Sequence, residues 1–333
     1  MDAVSTVFII TDQEDAQTQG DAEALPRRLR QADQSDKRRF IRLLDAISFQ
    51  WKLNQSCCLL SENAEDCNFY RHIAERRLHR EEIHTEIKIS FENLGGGGND
   101  TGKELRRFVE RECRPVLCLA DTDQKYGKLS GHTPKVGLTL QGIQNAQAQL
   151  DRLQQNGQAL PPFQSFPLAV HEVENLIPLE ILSALTERIP EANDQRETYQ
   201  NGLAMLQRLK TLNIEDSRLE NFRTGDPLLC YDFKNGLPYI LPNEPERRIY
   251  WEIIISALGE NDCSIPTQKR GVCKDQFFPP LHRRVLETAI AYLSEADHRF
   301  LPVELEPPLD HMWDEIGQVV FTWGCAATRS RYQ

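Results

Sequence analysis

Four short apolar segments alternate with amphipathic segments over residues 56–174, and this alternation limits the possible folds more than any other feature. The amphipathic segments repeat apolar residues at helical spacing, whereas the apolar segments are too short to be helices. Such a strand–helix alternation predicts an α/β fold, with a mostly parallel sheet flanked by helices. The predicted strands are residues 56–60, 86–91, 115–120 and 167–170, and the predicted helices between them are 65–79, 103–112 and 141–155.

The rest of the chain has a different character. Residues 1–54 are polar, with one amphipathic helix near Phe40 to Trp51, and we expect them to form a separate N-terminal segment. We place the α/β domain at residues 55–178. Residues 179–333 are expected to form a mainly helical C-terminal region, with helices near 178–188, 197–212, 245–258 and 280–294.

Composition narrows the class of protein. None of the 333 residues belongs to an apolar stretch of the ~20 residues that a membrane span requires, and the start lacks the features of a secretory signal. Nine cysteines without a CxxC pair indicate reduced thiols in the cytoplasm rather than a structural zinc framework. The net charge of −11 argues against a general nucleic-acid binder, but basic clusters such as Arg106-Arg107 leave room for a nucleic-acid enzyme.

Carboxylates follow three of the four predicted strands. Glu62 comes after the first strand, Asp121 and Asp123 after the third, and Glu172 and Glu174 after the fourth. Parallel strands present their carboxyl ends at one edge, so these five acids are expected to converge there. Without cations they would repel one another and raise each other's pKa values. The pattern therefore predicts a site for one or two Mg²⁺ or Mn²⁺ ions, which can activate water and clamp a phosphate.

The order of these motifs resembles the Toprim domain of topoisomerases, primases and OLD-type (overcoming lysogenization defect) nucleases. Four parts of the chain carry the resemblance: residues 59–66 with Phe69-Tyr70, the glycine run 95–98, Asp121-Thr122-Asp123, and residues 171–178, which are similar to an "R-E-I-E-N-Y" element. Ser61 and Asn63 depart from the Val and Gly usual in that family. Residues 231–236 resemble a later lysine-bearing segment of stand-alone relatives.

The resemblance implies a Toprim-like fold and a metal-dependent nuclease, expected to be an endonuclease acting on DNA or RNA. Glu62 would be the acid/base or first metal ligand, Asp121 and Asp123 would hold metal, and Lys234 would contact the scissile phosphate. Glu172 and Glu174 would complete that site or add a second metal. The resemblance also implies an antiviral effector without a fused ATPase, which a separate ATPase or sensor protein activates.

Several alternatives stay open at this point. A catalytically inactive interaction subunit would keep the same fold, and Lys234 is also typical of a surface turn. Residues 97–104 nearly match a P-loop, but Glu104 replaces the hydroxyl that binds Mg²⁺. His132 and His171 are candidates for proton transfer, although a strand-end histidine is more often packed. The aromatic tail from Trp313 to Cys325 suits core or homodimer packing.

Overall fold

The computed structural model describes part of the chain, beginning at Cys57. The described residues are 57–80, 87–127, 129, 135–191, 195–212, 216–219, 226–238, 244–259, 276–282, 284–295, 305 and 308–327. The predicted N-terminal segment, residues 1–54, lies outside them.

Helices make up most of the described secondary structure. The strands are β1 (Cys58–Ser61), β2 (Ile87–Ile89), β3 (Glu92–Gly95), β4 (Val116–Asp121), β5 (Phe163–Leu168), β6 (Leu237–Pro238), β7 (Gln276–Phe278) and β8 (Cys325–Ala327). The helices are α1 (Ala64–Arg80), α2 (Thr101–Arg106), α3 (Leu138–Gln155), α4 (Leu179–Ala184), α5 (Gln195–Lys210), α6 (Asp226–Cys230), α7 (Pro245–Ala257), α8 (Val285–Ser294) and α9 (Leu309–Gly324). A π-helical turn, Arg107–Arg111, continues α2.

Four strands form one parallel sheet in the order β3-β1-β4-β5. Ser61 pairs with Gly95 at one end of this sheet, and Asp121 pairs with Leu168 on the neighbouring strands. The strands therefore finish at a common edge. The predicted α/β class, with a parallel sheet flanked by helices and helices toward the C-terminus, is confirmed.

The second predicted strand is wrong in its position. Residues 87–89 form β2, which pairs antiparallel with β8 outside the parallel sheet. The strand that joins the sheet is β3, directly afterwards. β3 is an edge strand with partly exposed residues, so Glu92 and Asn93 are tolerated and the apolar signal falls on its neighbour instead.

The two faces of the sheet bury alternate residues of the same strands. Leu117 and Leu119 of β4 face the core that contains α1 and the C-terminal helices. Val116, Cys118 and Ala120 face a smaller core with α2 and α3. Since successive strand residues point to opposite faces, a strand covered on both sides is apolar throughout, as β4 is up to Asp121.

The aromatic tail packs into the larger core. Trp313 of α9 meets Phe69 of α1 edge-to-face at 6.0 Å between ring centroids, and its Nε1 donates to the carbonyl oxygen of Leu176 at 2.8 Å. The predicted core role of this tail is therefore seen at Trp313. In the part of the chain that the structure describes, no helix has the length and apolar character needed to cross a membrane.

Candidate metal centre

Asp121 ends β4 at the carboxyl edge of the sheet. Its side chain is only 9% exposed, and its Oδ1 has no hydrogen-bond partner among the described residues. Burial, together with the nearby carboxylates of Glu62 and Asp123, raises the pKa of Asp121 to about 9. A buried carboxyl oxygen without a partner is costly, so this position calls for a cation or a proton.

Asp123 lies two residues further along in a left-handed backbone conformation, with φ of 52°. The loop is fixed by Thr122, whose backbone N–H and Oγ1 both donate to the carbonyl oxygen of Val170, at 3.1 and 2.9 Å. The carboxylate of Asp123 packs against Gly137, where any Cβ would collide with it. Asp tolerates the left-handed region better than most residues, and the absence of a side chain at Gly137 leaves room for its carboxylate.

Glu62 follows β1 and is held in place by the glycine run. The N–H of Gly96 donates to the carbonyl oxygen of Ser61 at 2.7 Å, and that of Gly97 donates to the carbonyl oxygen of Glu62 at 3.0 Å. Gly97 and Gly98 have φ of 72° and 66°, which glycine adopts readily. Burial and the charges of Asp123 and Glu174 raise the pKa of Glu62, against an opposing effect of Lys234.

Asp66, in the first turn of α1, is a site residue to which the sequence analysis gave no role. It is buried and accepts hydrogen bonds from Ser61 Oγ at 3.1 Å and from the backbone N–H of Asn63 at 3.0 Å. Burial raises the pKa of Asp66 to about 6, although these two hydrogen bonds oppose the shift. Asp66 therefore fixes the turn that presents Glu62.

Glu172 and Glu174 follow β5 and face a lysine. Lys234 Nζ lies 3.1 Å from Glu174 Oε1 and 3.6 Å from Glu172 Oε2. Burial raises the pKa of Glu172 to about 8, and Glu174 adds to the rise while Lys234 opposes it. Burial alone would lower the pKa of Lys234, but the two glutamates outweigh it and leave this pKa above its ordinary value. Lys234 is thus an internal counter-charge for this glutamate pair.

His171 and Asp232 lie next to Glu172 and Lys234 at the same edge of the sheet. His171 Nε2 lies 3.5 Å from Asp232 Oδ2, and His171 is 5% exposed. Asp232 also accepts backbone hydrogen bonds from Lys234 and Asn235 at 3.1 and 2.7 Å. Burial would raise the pKa of Asp232, but the contact with His171 and the N–H of Asn235 outweigh it and lower the pKa.

The edge thus carries two acidic groups with different surroundings. We call Glu62, Asp121 and Asp123 the open carboxylates, because no hydrogen bond or ion pair joins them to a basic side chain in the described ranges. We call Glu172, Glu174 and Asp232 the paired carboxylates, because they contact Lys234 or His171.

The five acids predicted from the sequence lie at this one edge, since the charges of Glu62, Asp123 and Glu172 are near enough to raise the pKa of Asp121. The charge of Glu174 likewise raises the pKa of Glu62. Among the described residues, however, the side chains whose donor atoms all lie within 4.8 Å of one another are His171, Glu172 and Asp232. The tightest cluster is therefore a different set from the predicted one. His132 lies outside the described residues.

No family model, no curated protein and no solved structure matches this chain. The resemblance to Toprim nucleases stays a prediction from motifs, and the geometry of the edge carries the functional argument.

Proposed function

We propose that this protein is a divalent-cation-dependent phosphodiesterase that cleaves nucleic acid, and that the open carboxylates form its cation site. The observation that carries the proposal is Asp121, a buried carboxylate with an unpartnered Oδ1 beside Glu62 and Asp123. Hydrogen bonds within the protein do not account for this oxygen, whereas a bound cation does.

The donor set fits Mg²⁺ or Mn²⁺. All three open carboxylates offer hard oxygen donors, and no sulfur or imidazole ligand is part of this group. Mg²⁺ keeps several of its waters and takes only one or two protein carboxylates, so Asp121 with one neighbour would be enough to hold it. When bound, such an ion supplies electrostatic stabilisation of a phosphate and a more acidic water.

The chain's own residues have separable tasks at this edge. Glu62 is half-buried with a raised pKa, which makes its carboxylate a stronger proton acceptor for an attacking water. Asp121 and Asp123 would hold the cation. Lys234 reaches the same edge, is 41% exposed and keeps its proton, so its ammonium is available to neutralise a phosphate oxygen.

A neighbouring groove supports nucleic acid as the substrate class. It has a volume of about 460 Å³ and runs between α2 and α3. Lys103, Arg106, Arg107 and Arg111 line it, against two acids, Glu104 and Glu110. Lys103, Arg106 and Arg107 each pair with an acid of the same surface, so a phosphate backbone would exchange with these acids. Arg111 is the lining cation for which no ion pair is described, and it is exposed.

The groove opens beside the open carboxylates. Asn99, which lines it, directly follows Gly98, and a Cβ at Gly98 would lie 3.2 Å from Glu62 Oε1. Thr139 Oγ1 lies 3.5 Å from Asn99 Oδ1, so α3 is tied to the same turn. A strand lying in the groove would therefore pass next to Glu62.

A nuclease assay tests the proposal. The purified chain is incubated with plasmid, single-stranded DNA or transfer RNA, with Mg²⁺, Mn²⁺ or a chelator. We expect cleavage of at least one substrate that needs the cation and is lost in both Asp121→Asn and Glu62→Gln. Asp216→Asn is the matched control and should keep full activity, because Asp216 is a partly exposed acid that pairs with Arg218. If the wild type binds the cation yet cleaves none of the three, an inactive interaction subunit replaces the enzyme.

A further inference from the structure

We propose that His171, Glu172 and Asp232 form a second cation site, separate in its chemistry from the open carboxylates, which binds a borderline transition metal such as Zn²⁺. One donor atom of each residue lies within 4.8 Å of the other two. The inference concerns metal binding only and does not depend on the proposed nuclease activity.

The spacing of the donors suits a shared ion. Two ligands at 2.0–2.1 Å from a tetrahedral Zn²⁺ stand about 3.4 Å apart. His171 Nε2 and Asp232 Oδ2 are 3.5 Å apart, beyond the usual length of a hydrogen bond between nitrogen and oxygen. The pair is therefore better placed to ligate one ion than to bond directly.

The buried histidine gives an independent observation. His171 is 5% exposed, and neither Nδ1 nor Nε2 has a hydrogen-bond partner among the described residues. Glu172 Oε2 is also buried without a hydrogen-bond partner. Buried imidazole and carboxylate groups are normally satisfied, so a buried histidine nitrogen and a buried glutamate oxygen without hydrogen-bond partners in one cluster indicate a ligand between them.

The identity of the donors sets the metal class. Imidazole with two carboxylates suits Zn²⁺ and its neighbours in the first transition row, whereas Mg²⁺ and Ca²⁺ prefer oxygen alone. Three protein ligands leave a fourth position for water. Asp232 is already oriented by the backbone N–H groups of Lys234 and Asn235, which supplies the supporting contacts that metal ligands usually have.

The positive charge of Lys234 should weaken metal binding at this site. Its Nζ lies 3.6 Å from Glu172 Oε2, so an incoming cation competes with this ammonium for the same carboxylate. Its side chain is 41% exposed and has room to turn away. A bound ion would also link the segment after β5 to the turn at residues 232–236, on which Lys234 sits.

The test is calorimetric titration of Zn²⁺ into the metal-free full chain, with Mg²⁺ in excess to occupy hard-cation sites. We expect one Zn²⁺ per chain. His171→Gln and Asp232→Asn should each weaken it more than about 100-fold, since even supporting residues of metal sites cost 10–100-fold. Asp232→Asn keeps an acceptor oxygen for the turn and should therefore fold, so it tests the proposal even if the His171→Gln variant does not fold. Lys234→Met should tighten Zn²⁺ binding about ten-fold, an effect that a purely structural His–Asp contact would not produce.

His311→Gln is the matched control, because His311 pairs with Glu315 at 3.6 Å on an exposed helix face. It should leave the affinity unchanged. Co²⁺ replacing Zn²⁺ should give visible d–d bands without a thiolate charge-transfer band, which separates this site from the cysteines. Absence of Zn²⁺ binding to the wild type, a thiolate band, or full affinity in Asp232→Asn would each overturn the proposal.

Discussion

The two acidic groups at the sheet edge solve the same electrostatic problem in different ways. The paired carboxylates have basic side chains beside them, with the ammonium of Lys234 at 3.1 Å from Glu174 and the imidazole of His171 at 3.5 Å from Asp232. Within the described ranges no basic side chain forms an ion pair with the open carboxylates, and burial together with the neighbouring carboxylates raises the pKa of Asp121 to about 9. The contrast shows where the chain supplies an ammonium group of its own, beside Glu172 and Glu174, and where a buried carboxyl group is left to an added cation or a proton, at Asp121.

The largest effect should follow from removing the charge of Asp121. Asp121→Asn keeps the size of the side chain and loses the anionic ligand, so we expect cleavage to fall by about 1000-fold, comparable to losing a key transition-state contact. Single-turnover cleavage assays at saturating Mn²⁺ measure this. Equal activity in wild type and variant would remove Asp121 from the site.

A pH dependence of stability should follow from the same residue. The folded carboxyl keeps its proton up to about pH 9, whereas its ordinary pKa is 3.8. Between these values the folded state binds more protons than the unfolded state, so the free energy of unfolding should decrease as pH rises. Glu172, at about 8, acts in the same direction.

Urea unfolding from pH 5 to pH 8 without divalent ions checks this dependence. Asp121→Asn should make the decrease shallower. Asp216→Asn is the control, because Arg218 lowers the pKa of Asp216 to about 2 and its titration lies below this range. If the stability of Asp121→Asn falls with pH as steeply as that of the wild type, the raised pKa does not belong to Asp121.

Displacing an open carboxylate without changing its charge should lower the cleavage rate less than Asp121→Asn does. In Gly137→Ala the new methyl group would collide with the Asp123 carboxylate, and a displacement near 1 Å can lower a rate by about 100-fold. Gly142→Ala is the matched control, since its Cβ would meet only the Asn99 carbonyl oxygen at 3.6 Å. Gly142 is inside α3, so the control should gain up to about 1 kcal/mol of stability and keep its activity. Full activity in Gly137→Ala would show that the position of Asp123 is unimportant.

Removing the ammonium beside the paired carboxylates should lower the free energy of unfolding. Lys234→Met leaves Glu172 and Glu174 without their ammonium, and we expect a loss of about 1 kcal/mol because the lysine is partly exposed. Lys103→Met, which breaks a solvent-exposed pair with Asp100, should leave stability unchanged because solvent screens that pair. Thermal and urea unfolding of both variants compare them. Equal changes in stability would mean that Lys234 contributes no more to folding than a solvent-exposed ion pair does.

The smallest effect is expected in the groove between α2 and α3. Arg111 is exposed and lines this groove, so Arg111→Gln should weaken nucleic-acid binding a few-fold and reduce the slope of log K against log salt by about 1. Fluorescence anisotropy over a salt series measures both. Arg218→Gln, at an exposed pair outside the groove, should leave the slope unchanged. An unchanged slope in Arg111→Gln would place the substrate elsewhere.

The open carboxylates could be predicted because local sequence determines them. Glu62 and Asp121 follow short apolar strands, and parallel topology brings such strand ends to one edge whatever the rest of the chain does. The position of β3 could not be predicted, because an edge strand carrying Glu92 and Asn93 lacks an apolar signal and the residues before it have one.

The pairing of His171 with Asp232 was outside the reach of pattern analysis. The two residues are 61 positions apart in the sequence, and no periodicity links them. One local signal was available: Asp232 precedes Asn235-Gly236 and caps this turn through backbone hydrogen bonds. That signal predicts a turn, but only the fold shows that the turn faces the end of β5.

Mn²⁺ binding followed by electron paramagnetic resonance tests the central claim most directly. The account predicts that the metal-free wild type binds Mn²⁺, that Mg²⁺ displaces it, and that Asp121→Asn loses this Mg²⁺-displaceable ion while Lys234→Met retains it. A wild type that binds no Mn²⁺, or an Asp121→Asn variant that binds it as tightly as the wild type, would contradict the account.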